Sequence, residues 1–289
     1  MHPAPSVIVF TVLSGAGFGY LAFLGLGFAL TGWPGFWQFA LAFTMAVGGL
    51  VSSTFHLGNP QRALLAFTQW RTSWLSREGW AAVGTLVVMG LYAVAAIFVD
   101  TLILPLGVVG AIMAVATIFI TSMIYAQMKT VPRWNSPLTP AYFITCALTA
   151  GTLLSGIWAL SLLMLLVVGV LQAVCWMSGD GRFAQRGHDM NSATGLDGKV
   201  RLFESPHTGT NYLLEEFGFQ VARRHAAKLR VICIVLIAVL PAILLLPGAY
   251  PALFGLAFAA HLAGTFVSRW LFFAEARHVV GLYYGRAAA

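Results

Sequence analysis

Five side chains able to take part in proton or charge transfer lie between positions 56 and 78: His56, Arg62, Arg71, Arg77 and Glu78. An imidazole titrates near neutrality and can give a proton to a carbonyl oxygen. Glu78 can relay protons, although burial and the dipole of the helix it opens act on it in opposite senses. Arg62 and Arg77 can stabilise developing negative charge or pair with Glu78. Gly58 and Pro60 shape a turn through which a planar headgroup can approach the backbone. His56 closes one long apolar run and Glu78 opens the next, so the group gathers at a single membrane face. That grouping suits coupled proton and electron transfer at the edge of a bilayer, with His56 and Glu78 as the proton-transferring pair. Arg71 and Arg77 also have a simpler reading as basic loop residues contacting lipid phosphate, and Trp70 and Trp74 as interfacial aromatics.

The elements that position these residues follow from composition. Of 289 residues, 59% are hydrophobic and 9% charged, against roughly 25% charged in a soluble domain. Mean hydropathy is +0.84. Eight apolar stretches are long enough to span, at approximately 5–30, 35–56, 78–99, 102–127, 138–156, 157–178, 229–247 and 251–274. The fifth and sixth run together through Gly151, Ser155 and Gly156. The stretches lack the alternation of barrel strands, so the expected fold is an all-α integral membrane protein of eight helices forming one domain over residues 1–289. Residues 1–4 carry no Lys or Arg and no cleavage site follows, so the first apolar run reads as a helix and not a leader.

The net charge of +7 is topological, not a sign of nucleic-acid binding. With eight spans, the loops after helices two, four and six share one face with both termini. Those loops hold Arg62, Arg71, Arg77, Lys129, Arg133 and the run from Arg182 to Arg230, while the opposite loops hold Asp100 alone. The positive-inside rule then places both termini and the basic loops in the cytoplasm.

Gly15, Gly17 and Gly19 lack the spacing of a dinucleotide fingerprint and suit close helix approach instead. Cys146, Cys175 and Cys233 form no metal-ligand pattern, so no metal site is expected. Residues 178–228 are the longest polar segment. The first part reads as loop. The second reads as an amphipathic helix capped by Thr210 or Asn211, with Glu215 and Glu216 early and Arg223, Arg224 and Lys228 late, suited to docking a partner or lying on headgroups. Arg269 is a charge inside the eighth run, either functional or snorkelling to the surface. His261 lies deeper and reads as a neutral imidazole bonded to a backbone carbonyl. It has no matching helical His, so no haem is expected.

The segment His56-Leu-Gly-Asn-Pro-Gln-Arg62, followed by Ser73-Trp-Leu-Ser-Arg-Glu78, resembles the membrane anchor subunits of dimethyl sulfoxide reductase and its relatives. The opening HPAPSVIVFTVLSGAG and the closing SRWLFF extend the resemblance over essentially the whole chain. It implies an anchor that reacts with ubiquinone or menaquinone and binds no redox cofactor of its own. The partners implied are a four-cluster iron–sulfur subunit and a catalytic subunit carrying molybdopterin guanine dinucleotide. The matching quinone-site positions are His56, Gly58, Arg62 and Glu78, to which the residue reading adds Arg77 and Arg269. Because the charge pattern sets the 56–78 segment in the cytoplasm, the implied complex is similar to the sulfite dehydrogenase of sulfur-oxidising bacteria, in the inner membrane with its partner subunits on the cytoplasmic side. Two other readings remain: an anchor oxidising quinol for an S- or N-oxide reductase, and a solute or ion transporter. The near absence of acids in the apolar runs and of an inverted repeat argues against the transporter.

Overall fold

The computed structural model describes residues 3–56, 59–204 and 221–284, and all regular structure among them is helical. The chain forms α1 (Pro5–Phe23), which continues through a π turn over Leu24–Phe28, then α2 (Gly32–Ser52), α3 (Trp74–Phe98), α4 (Leu104–Ala126), α5 (Leu138–Leu154) and α6 (Trp158–Gln185). A short α7 (Met190–Thr194) follows. α8 (Val221–Ile234) passes through a π turn at Val235–Val239 into α9 (Leu240–Leu245), and α10 (Pro251–Ala274) completes the bundle. Proline opens α1, α4 and α10, where its fixed φ suits a helix start and its missing N–H is not needed.

Seven helices among the described residues are long and apolar enough to cross a membrane. The segment expected as the fifth of eight spans forms α5, an apolar helix of 17 residues. At 1.5 Å per residue it reaches about 25 Å, short of the roughly 30 Å hydrocarbon core. Gly156, at φ 68°, ends it and turns the chain into α6, which is how one continuous apolar run in the sequence becomes two helices. The sixth helix departs from expectation at its other end, continuing to Gln185 where the sequence predicts a loop from 178. Arg182 holds the extension by donating to the Asn135 carbonyl at 2.8 Å, and Arg186 by donating to Asn135 Oδ1 at 2.8 Å. Residues 205–220, with most of the expected amphipathic helix and its caps, lie outside the described residues. From Val221 onward the helix runs directly into the apolar span His225–Leu245.

α1 is the hub of the bundle. It packs on α2, α4, α5 and α10, and 78% of its apolar window is buried, against 22–39% for the other spans. Glycine makes this possible. A Cβ on Gly17 would lie 2.3 Å from the Ala46 backbone nitrogen, and one on Gly19 would lie 1.9 Å from the Ala147 carbonyl oxygen. Gly17 and Gly19 therefore serve close helix approach, whereas a Cβ on Gly15 would meet nothing within 4 Å, and Gly15 lines a cavity instead.

The two ends of the bundle are built differently. On the end without basic loops, each of the four connections contains a left-handed residue: Gly32, Asp100, Gly156 and Gly248, with Gly27 a second one in the first connection. Aspartate tolerates that region better than most side chains, which accounts for the lone charge at this end. On the basic end, residues 127–137 are anchored by Trp134. Its indole donates to the Phe272 carbonyl at 2.9 Å, and its ring stacks on Phe272 with centroids 5.1 Å apart.

Candidate functional site

Glu78 lies five residues into α3, past the first turn, and is 4% exposed. The expectation that Glu78 opens its helix is therefore corrected: α3 begins four residues earlier, at Trp74. Its carboxylate accepts a hydrogen bond from the Thr121 hydroxyl of α4. A carboxylate this deep needs partners, and no ion pair to it occurs among the described residues.

The segment preceding α3 packs on another face of that helix, against Gly79 and Trp80, while Glu78 faces α4. Pro60–Phe67 forms a 3-10 helix. The Phe67 ring covers Gly79, where a Cβ would lie 2.9 Å from the ring. Trp80 packs edge-on to Phe67 at 5.4 Å and donates its indole N–H to the Phe67 carbonyl at 3.0 Å. Glycine next to Glu78 thus lets an aromatic ring close over the start of the helix.

Arg77 does not reach Glu78. Its Nε donates to the Trp70 carbonyl at 3.0 Å and its Nη2 to the Arg71 carbonyl at 2.7 Å, while its guanidinium sits 4.6 Å from the centre of the Trp74 ring. It latches the loop. His56 is the last residue of a 3-10 turn, Ser53–His56, that extends α2, and Arg62 lies in the Pro60–Phe67 helix. The His56 and Arg62 side chains and the whole of Gly58 lie outside the described residues.

Arg269 is 2% exposed, so it does not snorkel. Its guanidinium lies 3.4 Å from the Phe143 ring centre, and its Nε and Nη1 have no hydrogen-bond partner in the protein. It lines a cavity of about 20 Å³ together with Thr121 and His261. That volume holds one water, which is the natural partner for an orphaned guanidinium N–H. Thr121 therefore connects the two buried charged side chains: it donates to Glu78 and lines the cavity of Arg269.

His261 has a structural explanation. An α-helix would pair the Ile237 carbonyl with the N–H of residue 241, which is proline and has none. The His261 Nδ1 lies 2.8 Å from that carbonyl oxygen and supplies the missing donor. This matches the reading of a buried His bonded to backbone.

One feature of the basic end is not legible in the sequence. Arg133, Asp180, Arg230 and Glu275 form a closed ring of ion pairs there. Arg133 meets Asp180 at 2.8 Å and Glu275 at 2.7 Å, and Arg230 meets the same carboxylates at 2.6 and 2.7 Å. Burial lowers the Arg133 guanidinium below its ordinary value, and the Glu275 and Asp180 carboxylates oppose that shift. The ring lines a cleft of about 510 Å³. Its members come from four distant segments and read singly as loop charges, so no local motif announces them.

Comparison with known proteins bears on this arrangement. The family described as DMSO reductase anchor subunit (DmsC) matches residues 1–285. A sulfite dehydrogenase subunit of Allochromatium vinosum is 32% identical over 332 aligned positions, covering the whole of both chains. No solved structure matches. Apolar helices among the described residues, a carboxylate buried between α3 and α4 and a family match spanning nearly every residue agree: this chain belongs to the DMSO reductase anchor subunit family of multi-pass membrane proteins.

Proposed function

We propose that this anchor is the quinone-reactive subunit of a molybdenum and iron–sulfur oxidoreductase, passing electrons from sulfite oxidation through the iron–sulfur subunit to the quinone pool. The observation that carries the reading is Glu78, a carboxylate buried near the start of α3 and hydrogen-bonded to Thr121 of α4. The direction of electron flow draws on the likeness to the sulfite dehydrogenase subunit of Allochromatium vinosum and on the charge asymmetry of the loops.

Quinone reduction consumes two electrons and two protons. The electrons come from the partner's clusters. The protons come from the anchor, where His56 serves one quinone oxygen and Glu78 the other. Gly58 gives the headgroup access to backbone, and Arg62 stabilises its developing charge. Arg77 holds the loop in place, and Arg269 acts from behind through Thr121. In this reading α5 is the eighth span, both termini and the basic end face the cytoplasm of a bacterial inner membrane, and the catalytic and iron–sulfur subunits dock there. Residues 178–228 contribute to that docking.

In the complex purified with its partners, Glu78→Gln should lower quinone-coupled turnover by about a hundredfold, the usual size of a lost acid–base group. Turnover with a soluble artificial acceptor, which bypasses the membrane site, should stay. Equal quinone turnover in both proteins would remove Glu78 from the site. The family description favours a second reading, in which the anchor oxidises quinol for an S- or N-oxide reductase outside the cytoplasm. A fusion reporter at residue 190 separates the two, because a periplasmic signal there supports the second.

A further inference from the structure

A series of buried polar groups leads inward from the basic end. It begins at the open cleft of the ion ring. Arg133 and Glu275 also line a second, smaller cavity of about 40 Å³, together with Gln172, Ser268 and Tyr142. Inside it the Ser268 hydroxyl donates to Gln172 Oε1 at 2.6 Å, and the Tyr142 hydroxyl lies 2.6 Å from Ser268 Oγ, to which it can donate. Tyr142, Ser268 and Gln172 are each less than 5% exposed. Tyr142 stands one helical turn before Cys146 on α5, and the Arg269 guanidinium lies 5.4 Å from the Tyr142 ring centre; both Cys146 and Arg269 line the inner cavity described above. On the far side of that cavity stands Thr121, hydrogen-bonded to Glu78.

Hydroxyl groups cost stability in a membrane interior unless they are satisfied, and Leu or Phe would fill these positions at less cost. Here three side chains from α5, α6 and α10 are given over to a hydrogen-bonded chain in the outer cavity, which ends at Tyr142 beside Arg269 of the inner one, each cavity roomy enough for water. We infer that this chain and its two cavities form a proton-uptake route from the ion-ring cleft to Glu78, entering between α6 and α10 and bypassing the 56–78 segment. Each hydroxyl or water accepts a proton on one side and releases another on the other side. No relay group changes charge over a full passage, and one proton leaves the aqueous cleft for each delivered to Glu78. The Arg269 guanidinium orients the water of the inner cavity through its free Nε and Nη1.

The inference rests on the proposed quinone chemistry, so its test separates the two. Tyr142→Phe and Ser268→Ala each delete one oxygen and leave the packing in place. The intact complex would be measured for binding of a quinone-site inhibitor, for quinone-coupled turnover in H₂O and D₂O, and for turnover with a soluble acceptor. The expected result is unchanged inhibitor binding and soluble-acceptor turnover, with quinone turnover down about tenfold and a larger solvent isotope effect. A merely structural role for these hydroxyls would lower turnover without enlarging the isotope effect, and that result overturns the route. Unchanged turnover and isotope effect in both variants would also overturn the route while leaving the quinone site standing. If the unaltered complex neither binds the inhibitor nor reduces quinone, the function itself fails and the route falls with it.

Discussion

His261 and Pro241 depend on each other. Proline removes one donor from the α8–α9 helix, and the imidazole returns it from α10. His261→Ala leaves a buried carbonyl unpaired, so it should lower stability by about 1–3 kcal/mol, read from thermal unfolding in detergent. In a Pro241→Ala background the backbone N–H is restored, and the same His261 change should cost measurably less. The two substitutions are therefore expected to be non-additive, and strict additivity would show that the carbonyl is not what His261 serves. Sequence alone could place His261 in a helix and propose a carbonyl partner. It could not say which carbonyl, because that depends on how α10 lies against the π turn. Glu78 is similarly half legible. Its type and its place beside the HLGNPQR run suggest proton transfer, but burial beyond the first turn requires α3 to begin at Trp74, where Ser73 stands at the N-cap without making a side-chain cap bond.

The decisive element is the stretch from 60 to 73, held to α3 by few contacts. Arg77 supplies two hydrogen bonds and Trp80 a third. Arg77→Gln should therefore free the carbonyls of Trp70 and Arg71 and speed hydrogen exchange through residues 60–73, while exchange in the spans stays as it was. Protection unchanged in that stretch would assign the latch elsewhere. The helices themselves are well marked, since apolar run length and Pro or Gly punctuation locate their centres. Their ends are less so. α6 outlasts its apolar run because Asn135, forty-seven positions away, accepts from Arg182. That tertiary contact leaves no local trace.

The ring of Arg133, Asp180, Arg230 and Glu275 acts at the scale of the molecule, fastening the 127–137 loop, α6, α8 and the end of α10 to one another. Its two carboxylates are not equivalent: the Glu275 side chain is 7% exposed and that of Asp180 47%. Glu275→Gln should cost roughly 2–3 kcal/mol, between the values for exposed and fully buried pairs, and Asp180→Asn less. Added salt should narrow the difference between Asp180→Asn and the unaltered protein more than that for Glu275→Gln, because screening reaches the exposed carboxylate first. Unfolding followed at low and high ionic strength measures both. An equal loss for the two variants would mean that the ring does not divide into a buried and an exposed half.

The position of α1 carries a consequence for how the protein is made. It precedes every helix that encloses it, and its glycines fit the backbones of partners that are still unsynthesised when it enters the bilayer. Until α5 arrives, Gly19 faces lipid or a chaperone in place of Ala147. The axle of the finished bundle is thus its longest-waiting part during biogenesis. A chain that stalls after α4 presents the membrane's quality-control proteases with a small-residue helix lacking the neighbour its surface was shaped to meet.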